Sequence, residues 1–253
     1  MTPADTQRIA DEFRSCIVNT VRRVASEDTH RPFHAALLSE NALFWSRFER
    51  SFSTSFGQRA IEQISRIVVE ANGAEQALNQ KQTMVSLSSA QLAAIDAHIS
   101  KLRTGQLGRA ANWEMDLREV EGRRIAEASD ESRVISDLWW IKGGINHYLS
   151  IKTVKPNIDQ TAEAKRDLLK LKLHDPSAKV YFGLYYNPYG KHRADYAWTP
   201  PNGIFDFSHD DVVLIGQDYW DTLGGVGTYD EVLEIARQVG RETRPLIEAL
   251  RKD

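Results

Sequence analysis

Apolar residues recur at helical spacing through the first half of the chain. Ile9, Phe13, Ile17, Val21 and Val24 fall on one helix face, and Pro32 marks the break that follows. Leu37, Leu38, Phe44, Trp45, Phe48 and Phe52 form a second apolar stripe. A third helix is predicted over residues 59–70, with Asn72-Gly73 as its C-cap. A fourth runs from Ser88 to about Leu102, opened by a capping box of Ser88 with Gln91. After Asp130 the period changes. Residues 134–142 and 146–152 read as strands joined by a Gly143-Gly144 hairpin turn. Pro156-Asn157 opens a helix to about Leu173, stopped by Asp175-Pro176. Residues 179–186, rich in aromatic and β-branched side chains, are a strand. Residues 212–215 make a short buried strand, and residues 228–250 a last amphipathic helix. This order predicts an α/β core with a mixed sheet. Residues 1–57 are expected to be a helical N-terminal extension. Residues 58–253 are expected to be the core, with a helical insertion at about 80–125.

Composition narrows the class without naming it. With 253 residues, 42% hydrophobic and 26% charged, the chain suits one large domain or a core with an extension. No apolar run approaches the ~18 residues of a membrane span, and residues 1–15 do not read as a signal peptide. One cysteine, Cys16, excludes an intrachain disulfide and suits the cytoplasm, with packing as its expected role. The net charge of −3 argues against indiscriminate coating of nucleic acid. Its distribution is uneven, however. Between Lys142 and Arg193 there are 10 Lys or Arg against 4 Asp or Glu, a net +6. Such a basic middle suggests one local surface for a polyanion, although solvated helix faces produce similar runs.

The candidate chemistry sits on the hairpin. Asp137 lies in its first strand, while Ser150 and Lys152 share a face of the second. Phosphodiester cleavage needs such a cluster. A carboxylate anchors Mg²⁺, which stabilises phosphate charge and lowers the pKa of water. A nearby lysine orients or helps deprotonate the attacking water. An Asp followed by a Lys within about twenty residues is common by chance, so spacing alone leaves a surface Asp and an edge-strand Lys as the plainer reading. An Asp inside an apolar run is less ordinary, since a buried carboxylate needs a partner.

The stretch "DLWWIKGGINHYLSIKTVKPNIDQTAEAKRDLL", residues 137–169, resembles the active-site region of the PD-(D/E)xK nucleases. Within them it is most similar to the TdeIII-like group of type II restriction endonucleases. The likeness continues through "VYFGLYYNPYG" and "VLIGQDYWDTLGGVGTYDEVLEIARQVG", and "FERSFSTSFGQRAIEQISRIV" is similar to the leading helix of such enzymes. The resemblance implies a prokaryotic, cytoplasmic, Mg²⁺-dependent enzyme. It would cut double-stranded DNA as a homodimer, with a methyltransferase as functional partner. Asp137 matches the motif's metal-binding acid and Lys152 its lysine. Ser150 departs from the pattern, standing where Asp or Glu is usual, and serine brings no charge to a hard cation. The missing carboxylate is then sought on the following helix. Glu163 is the first candidate, with Asp159 and Asp167 behind it. Gln160 resembles a glutamine that such nucleases place near the metal, and Glu62 a glutamate that sometimes completes the site. A solvated helix face accounts for each of these side chains equally well.

For DNA, Lys155, Asn157, Lys165 and Arg166 could approach phosphate. The loop "NPYGKHRADYAW", with Lys191, His192 and Arg193, could enter the major groove, or simply be a solvated loop over packed aromatics. Two other readings stay open. One is a repair nuclease of the same chemistry without sequence specificity. The other is an inactive DNA-binding protein, which Ser150 keeps in view. Zinc is not expected, because the histidines lack ligand spacing, and the chain has no G-x-S-x-G elbow of a serine hydrolase. The glycines of "GGVGTYDE" read as a turn before a helix rather than a phosphate loop.

Overall fold

The computed structural model describes residues 1–26, 31–121, 129–199 and 203–250. The chain separates into two compact units, Met1–Val68 with Asp230–Asp253, and Val69–Tyr229. In the first lie α1 (Pro3–Ser26), α2 (Pro32–Leu37), α3 (Glu40–Ser55) and a π-helical turn (Phe56–Ala60). It also holds the start of α4 (Ile61–Ala71) and nearly all of α9 (Thr228–Ala249). The α1 stripe is Ile9, Phe13, Cys16, Thr20 and Val24, so the apolar face lies slightly round the helix from Ile17 and Val21. Phe13 and Phe52 both stack on Phe56, at 5.9 and 5.1 Å between ring centroids. Burial pushes the Cys16 thiol up to about 11, which keeps it protonated and fits the packing role expected for it. Pro32 opens α2 instead of merely ending α1, at a position where a missing N–H costs no helical hydrogen bond.

The second unit holds β1 (Gln76–Ser88), α5 (Ser89–Thr104), α6 (Trp113–Glu121), β2 (Ser129–Lys142), β3 (Ile145–Lys152), α7 (Ile158–His174), β4 (Lys179–Leu184), β5 (Val213–Ile215) and α8 (Gln217–Gly224). Its five strands form one sheet in chain order. The β1–β2 and β2–β3 pairs are antiparallel, while β3–β4 and β4–β5 are parallel. This is the mixed α/β sheet that the element order predicts. At the hairpin, Gly143 and Gly144 take φ of +60° and +69°, the left-handed pair that a two-residue turn between twisted strands requires. The parallel step from β3 to β4 needs a crossover, and α7 supplies it. Asn157 and Gln160 cap that helix reciprocally.

One expectation fails. Residues 76–88, placed partly in a helical insertion, form the edge strand β1, and only α5 and α6 of the span 80–125 are helical; residues 122–125 lie outside the described residues. The cause lies in β1's half-buried positions. Ala77, Asn79, Lys81 and Thr83 carry little apolar surface, so the period-two signal is absent until Val85 and Leu87.

One core cluster joins Trp139, Tyr148, Val180, Phe182 and Val213 of the sheet to Ile95 and Ile99 of α5 and Leu168 and Leu169 of α7. Gly183 is dictated by close approach, since a Cβ there would lie 2.6 Å from Cε2 of Tyr219 on α8.

A charged cluster is buried beside this core. Lys165 is fully buried, and its Nζ donates to Asp116 and to the Ile204 carbonyl. Asp116, equally buried, also accepts from Arg109 and from the Asn112 amide, and His98 Nε2 lies 3.1 Å away. Burial works to raise the Asp116 carboxyl. His98, Lys165 and Arg109 outweigh it and hold the group well below the usual carboxylate range. Asp116→Ala would leave the Lys165 ammonium buried and unpaired, and should cost about 3–5 kcal/mol, read from the urea midpoint. A cost under about 1 kcal/mol would show that water or another group takes over.

Candidate active site

The sheet is distorted at one place. Gln80 has φ of +51°, the only positive φ outside glycine among the described residues. It sits between the pairs Asn79↔Leu138 and Lys81↔Ser136, directly across from Asp137. Val134 and Trp139, five residues apart on β2, both join the core cluster. Strict alternation would put them on opposite faces. The inner face of β2 therefore changes parity around Asp137, and the left-handed residue on β1 accommodates the turn of the ribbon. Such a residue costs of order 1–3 kcal/mol unless its surroundings impose it.

Asp137 is held from both neighbouring strands. Its Oδ2 accepts from the Ile151 amide at 2.6 Å, and Ser150 Oγ lies 3.5 Å away. Lys152 Nζ is 3.5 Å from the same oxygen. Oδ1 accepts from Gln80 Nε2 at 3.2 Å. The hairpin thus brings Asp137, Ser150 and Lys152 together as the strand register requires. Ser150 stands beside the carboxylate as a hydroxyl donor and adds no charge.

These residues line a pocket of about 410 Å³ with Gln80 and with Glu163 and Asp167 of α7. Glu163 is exposed. Asp167 is partly buried, and burial pushes its carboxyl up. Glu163 adds to the rise, while Lys170, Arg166 and Lys152 oppose it. Neither Gln160 nor Asp159 lines the pocket. Gln160 is spent on capping, its Oε1 accepting from the Asn157 amide. Asp159 pairs with Arg103 on the surface. Glu62 belongs to α4 in the first unit. Gln80 carries no signal in the sequence, where it sits in the polar run Asn79-Gln80-Lys81-Gln82.

The basic residues divide in the same way. Lys165 is buried, as described, and Arg166 pairs with Asp96. Arg193 turns inward to the carbonyls of Phe207, Asp206 and Asp210, and burial lowers its pKa. It fastens loops together, so its guanidinium is not presented to DNA. Lys191 is exposed, with Nζ over the Tyr229 ring. His192 is exposed and opens a short 3₁₀ turn through its amide bond to Asp195. Asn157 is the N-cap of α7. Lys155 is exposed, with Nζ over the rings of Tyr189 and Trp198, at 5.2 and 5.5 Å. The loop is strapped to the turn after β3. Tyr196 Oη donates to the Val154 carbonyl and Trp198 Nε1 to that of Pro156, both at 3.0 Å.

An acidic pocket with one lysine, open at the end of a strand pair, suits a divalent cation and an anionic ester. Comparison with known proteins gives the family of the chain. The chain is 32% identical over 241 residues to the type II restriction enzyme HgiBI of Herpetosiphon aurantiacus, covering 93% of this chain and 86% of that one. With HgiEI of the same organism it shares 32% identity over 215 residues, covering 83% and 77%. With HgiCII, also from that organism, it shares 30% over 241 residues, covering 93% and 86%. All three are named as restriction enzymes, a class of site-specific deoxyribonucleases. Residues 4–240 match the family described as type II restriction endonuclease, HinfI, and the chain belongs to that family. No solved structure matches it significantly.

Two outcomes follow for stability. Replacing Gln80 by Gly should leave stability within about 1 kcal/mol, because relief of the left-handed φ offsets the added chain entropy. Gln80→Val, β-branched, should lose about 1–3 kcal/mol more; equal thermal melts for the two would show that the backbone is not strained there. Asp167→Asn should raise the melting temperature at pH 7 in metal-free buffer. The Asp167 pKa is raised by folding, so its ionisation penalty is present at neutral pH and disappears as pH falls through that raised value toward ~3.9. The gap between the two proteins should therefore close on acidification, and a constant gap would rule this origin out.

Proposed function

We propose that the protein hydrolyses phosphodiesters in double-stranded DNA at a defined sequence, with Mg²⁺ as cofactor and the pocket at the β2–β3 hairpin as its centre. The observation that carries this is the placing of Asp137 and Lys152, 3.5 Å apart, in one pocket with two further carboxylates. Among the described residues no three His, Cys, Asp or Glu side chains gather into a closed cation cage. Mg²⁺ seldom uses one. It keeps several waters and binds through one or two carboxylates plus substrate phosphate. Asp137 with Asp167 or Glu163 fits that donor set, all oxygen and anionic. Asp167 is favoured over Glu163, because a partly buried acid with a raised pKa gains most from a cation. Bound there, the ion supplies positive charge against the phosphate oxygens.

The chain's own residues do the rest. Gln80, Ser150 and the Ile151 amide fix the Asp137 carboxylate, so its orientation needs no rearrangement when substrate arrives. Lys152, partly exposed beside it, orients the attacking water and offsets the charge that develops on phosphate. In motif terms this is a PD-(D/E)xK site whose second acid has moved from position 150 to α7. The TdeIII-like likeness rests on the turn after Lys152 and the C-terminal block. Cutting both strands of a two-fold symmetric site follows from a homodimer, with a separate methyltransferase protecting host DNA.

Ser150 favours one second reading, a protein that binds DNA without cutting it. The test is to incubate purified protein with unmethylated phage DNA and Mg²⁺, beside Lys152→Ala and Asp167→Asn. Wild type should give discrete fragments, and each variant should cut at least about 10²-fold more slowly. An even ladder would indicate a nuclease without sequence specificity. DNA bound but uncut in any divalent metal would establish the inactive reading.

A further inference from the structure

One further group belongs to the pocket and has no part in the arrangement above. Arg133 of β2 lines it together with Asp137, Lys152, Glu163 and Asp167. Its residue is exposed, and it makes no hydrogen bond or ion pair among the described residues. That is unexpected for a guanidinium sharing a pocket with three carboxylates.

Its support is rigid. Beyond Leu138, β2 no longer pairs with β3 and continues with β1 alone, as a two-stranded ribbon to Ser129 and Ser88. A bare ribbon would be marginal in water, but α7 backs this one. Val85, Leu87 and Val134 enter the core cluster with Leu168 and Leu171, and the Ser86 amide donates to His174 Nδ1. Lys170 Nζ reaches Ser132 Oγ at 3.4 Å and lies 3.9 Å from Asp167, which occupies that ammonium. Among the described residues, Arg133 is the cation on this wall with no such contact. Glu131, the next acid on this strand, is two residues farther from Asp137.

Position decides what Arg133 can hold. It is four residues from Asp137, about 13 Å along an extended strand. That is too far for its backbone to share the group that Asp137 serves, while a long side chain lining the same pocket spans part of the gap. A planar fork of donors matches a phosphate better than a point charge does. We propose that Arg133 binds a backbone phosphate flanking the one cleaved, and so sets the register of the DNA strand across the pocket. This rests on the nuclease reading of the pocket.

The experiment uses full-length protein carrying Lys152→Ala, which should bind without cutting, and a fluorescein-labelled mixed-sequence duplex. Anisotropy titrations run from about 50 to 200 mM salt, because each phosphate neutralised contributes about −0.9 to the slope of log affinity against log salt. Adding Arg133→Ala should flatten that slope by about one contact and weaken binding roughly tenfold at the low-salt end. Arg133→Lys should restore the slope with part of the affinity. A slope unchanged by Arg133→Ala, or a Lys variant that behaves like Ala, overturns the proposal while leaving the nuclease reading intact. If the parent Lys152→Ala protein binds no duplex at any salt, the nuclease reading fails first and takes this inference with it. Thermal melts of all three proteins should coincide, since the side chain is exposed.

Discussion

A carboxylate drawn into the body of a sheet needs hydrogen bonds on both oxygens, and Asp137 obtains them from both flanking strands. The ladder between β2 and β3 ends at Leu138↔Leu149, and the Ile151 amide beyond it would lose a partner on that side. Asp137 Oδ2 takes that amide, and Gln80 on β1 takes the other oxygen. The acid proposed for catalysis thus doubles as the closure of the sheet at the point where it splays. Lys152 and the α7 acids can gather there because the strands have stopped pairing and left room.

The hairpin, α5, α7, β4, β5 and α9 are legible in the sequence because each carries its own local signal: a Gly-Gly turn, a capping box, a β-branched run, an amphipathic period. The strand β1 is not. Its inner residues are Ala, Asn, Lys and Thr over the first half, and its place in the sheet is dictated by partners more than forty residues on. The same split runs through the site. Asp137, Ser150 and Lys152 follow from hairpin register, which is local. The role of Gln80 depends on how β1 lies against the hairpin, which no period in the sequence records.

Charge counting misleads for a related reason. The basic run between Lys142 and Arg193 suggests a surface for DNA, yet two of its strongest members point inward. Lys165 and Arg193 are held by carbonyls and by Asp116. They are structural cations that fix the segment after β4 against α7 and α6. Cation density along a chain measures potential DNA contacts only after the buried ones are removed, and here burial takes Arg193, one of the three loop residues considered for the major groove.

The straps from Tyr196 and Trp198 to the carbonyls of Val154 and Pro156 carry a mechanical meaning. They attach the long aromatic loop to the backbone two and four residues beyond Lys152, with the Lys155 ammonium held between two rings. The loop and the lysine-bearing turn therefore share one lever arm. A pull on the loop is delivered to the backbone just beyond Lys152 through these two hydrogen bonds, one of them from Tyr196, which also stacks on the core residue Phe207.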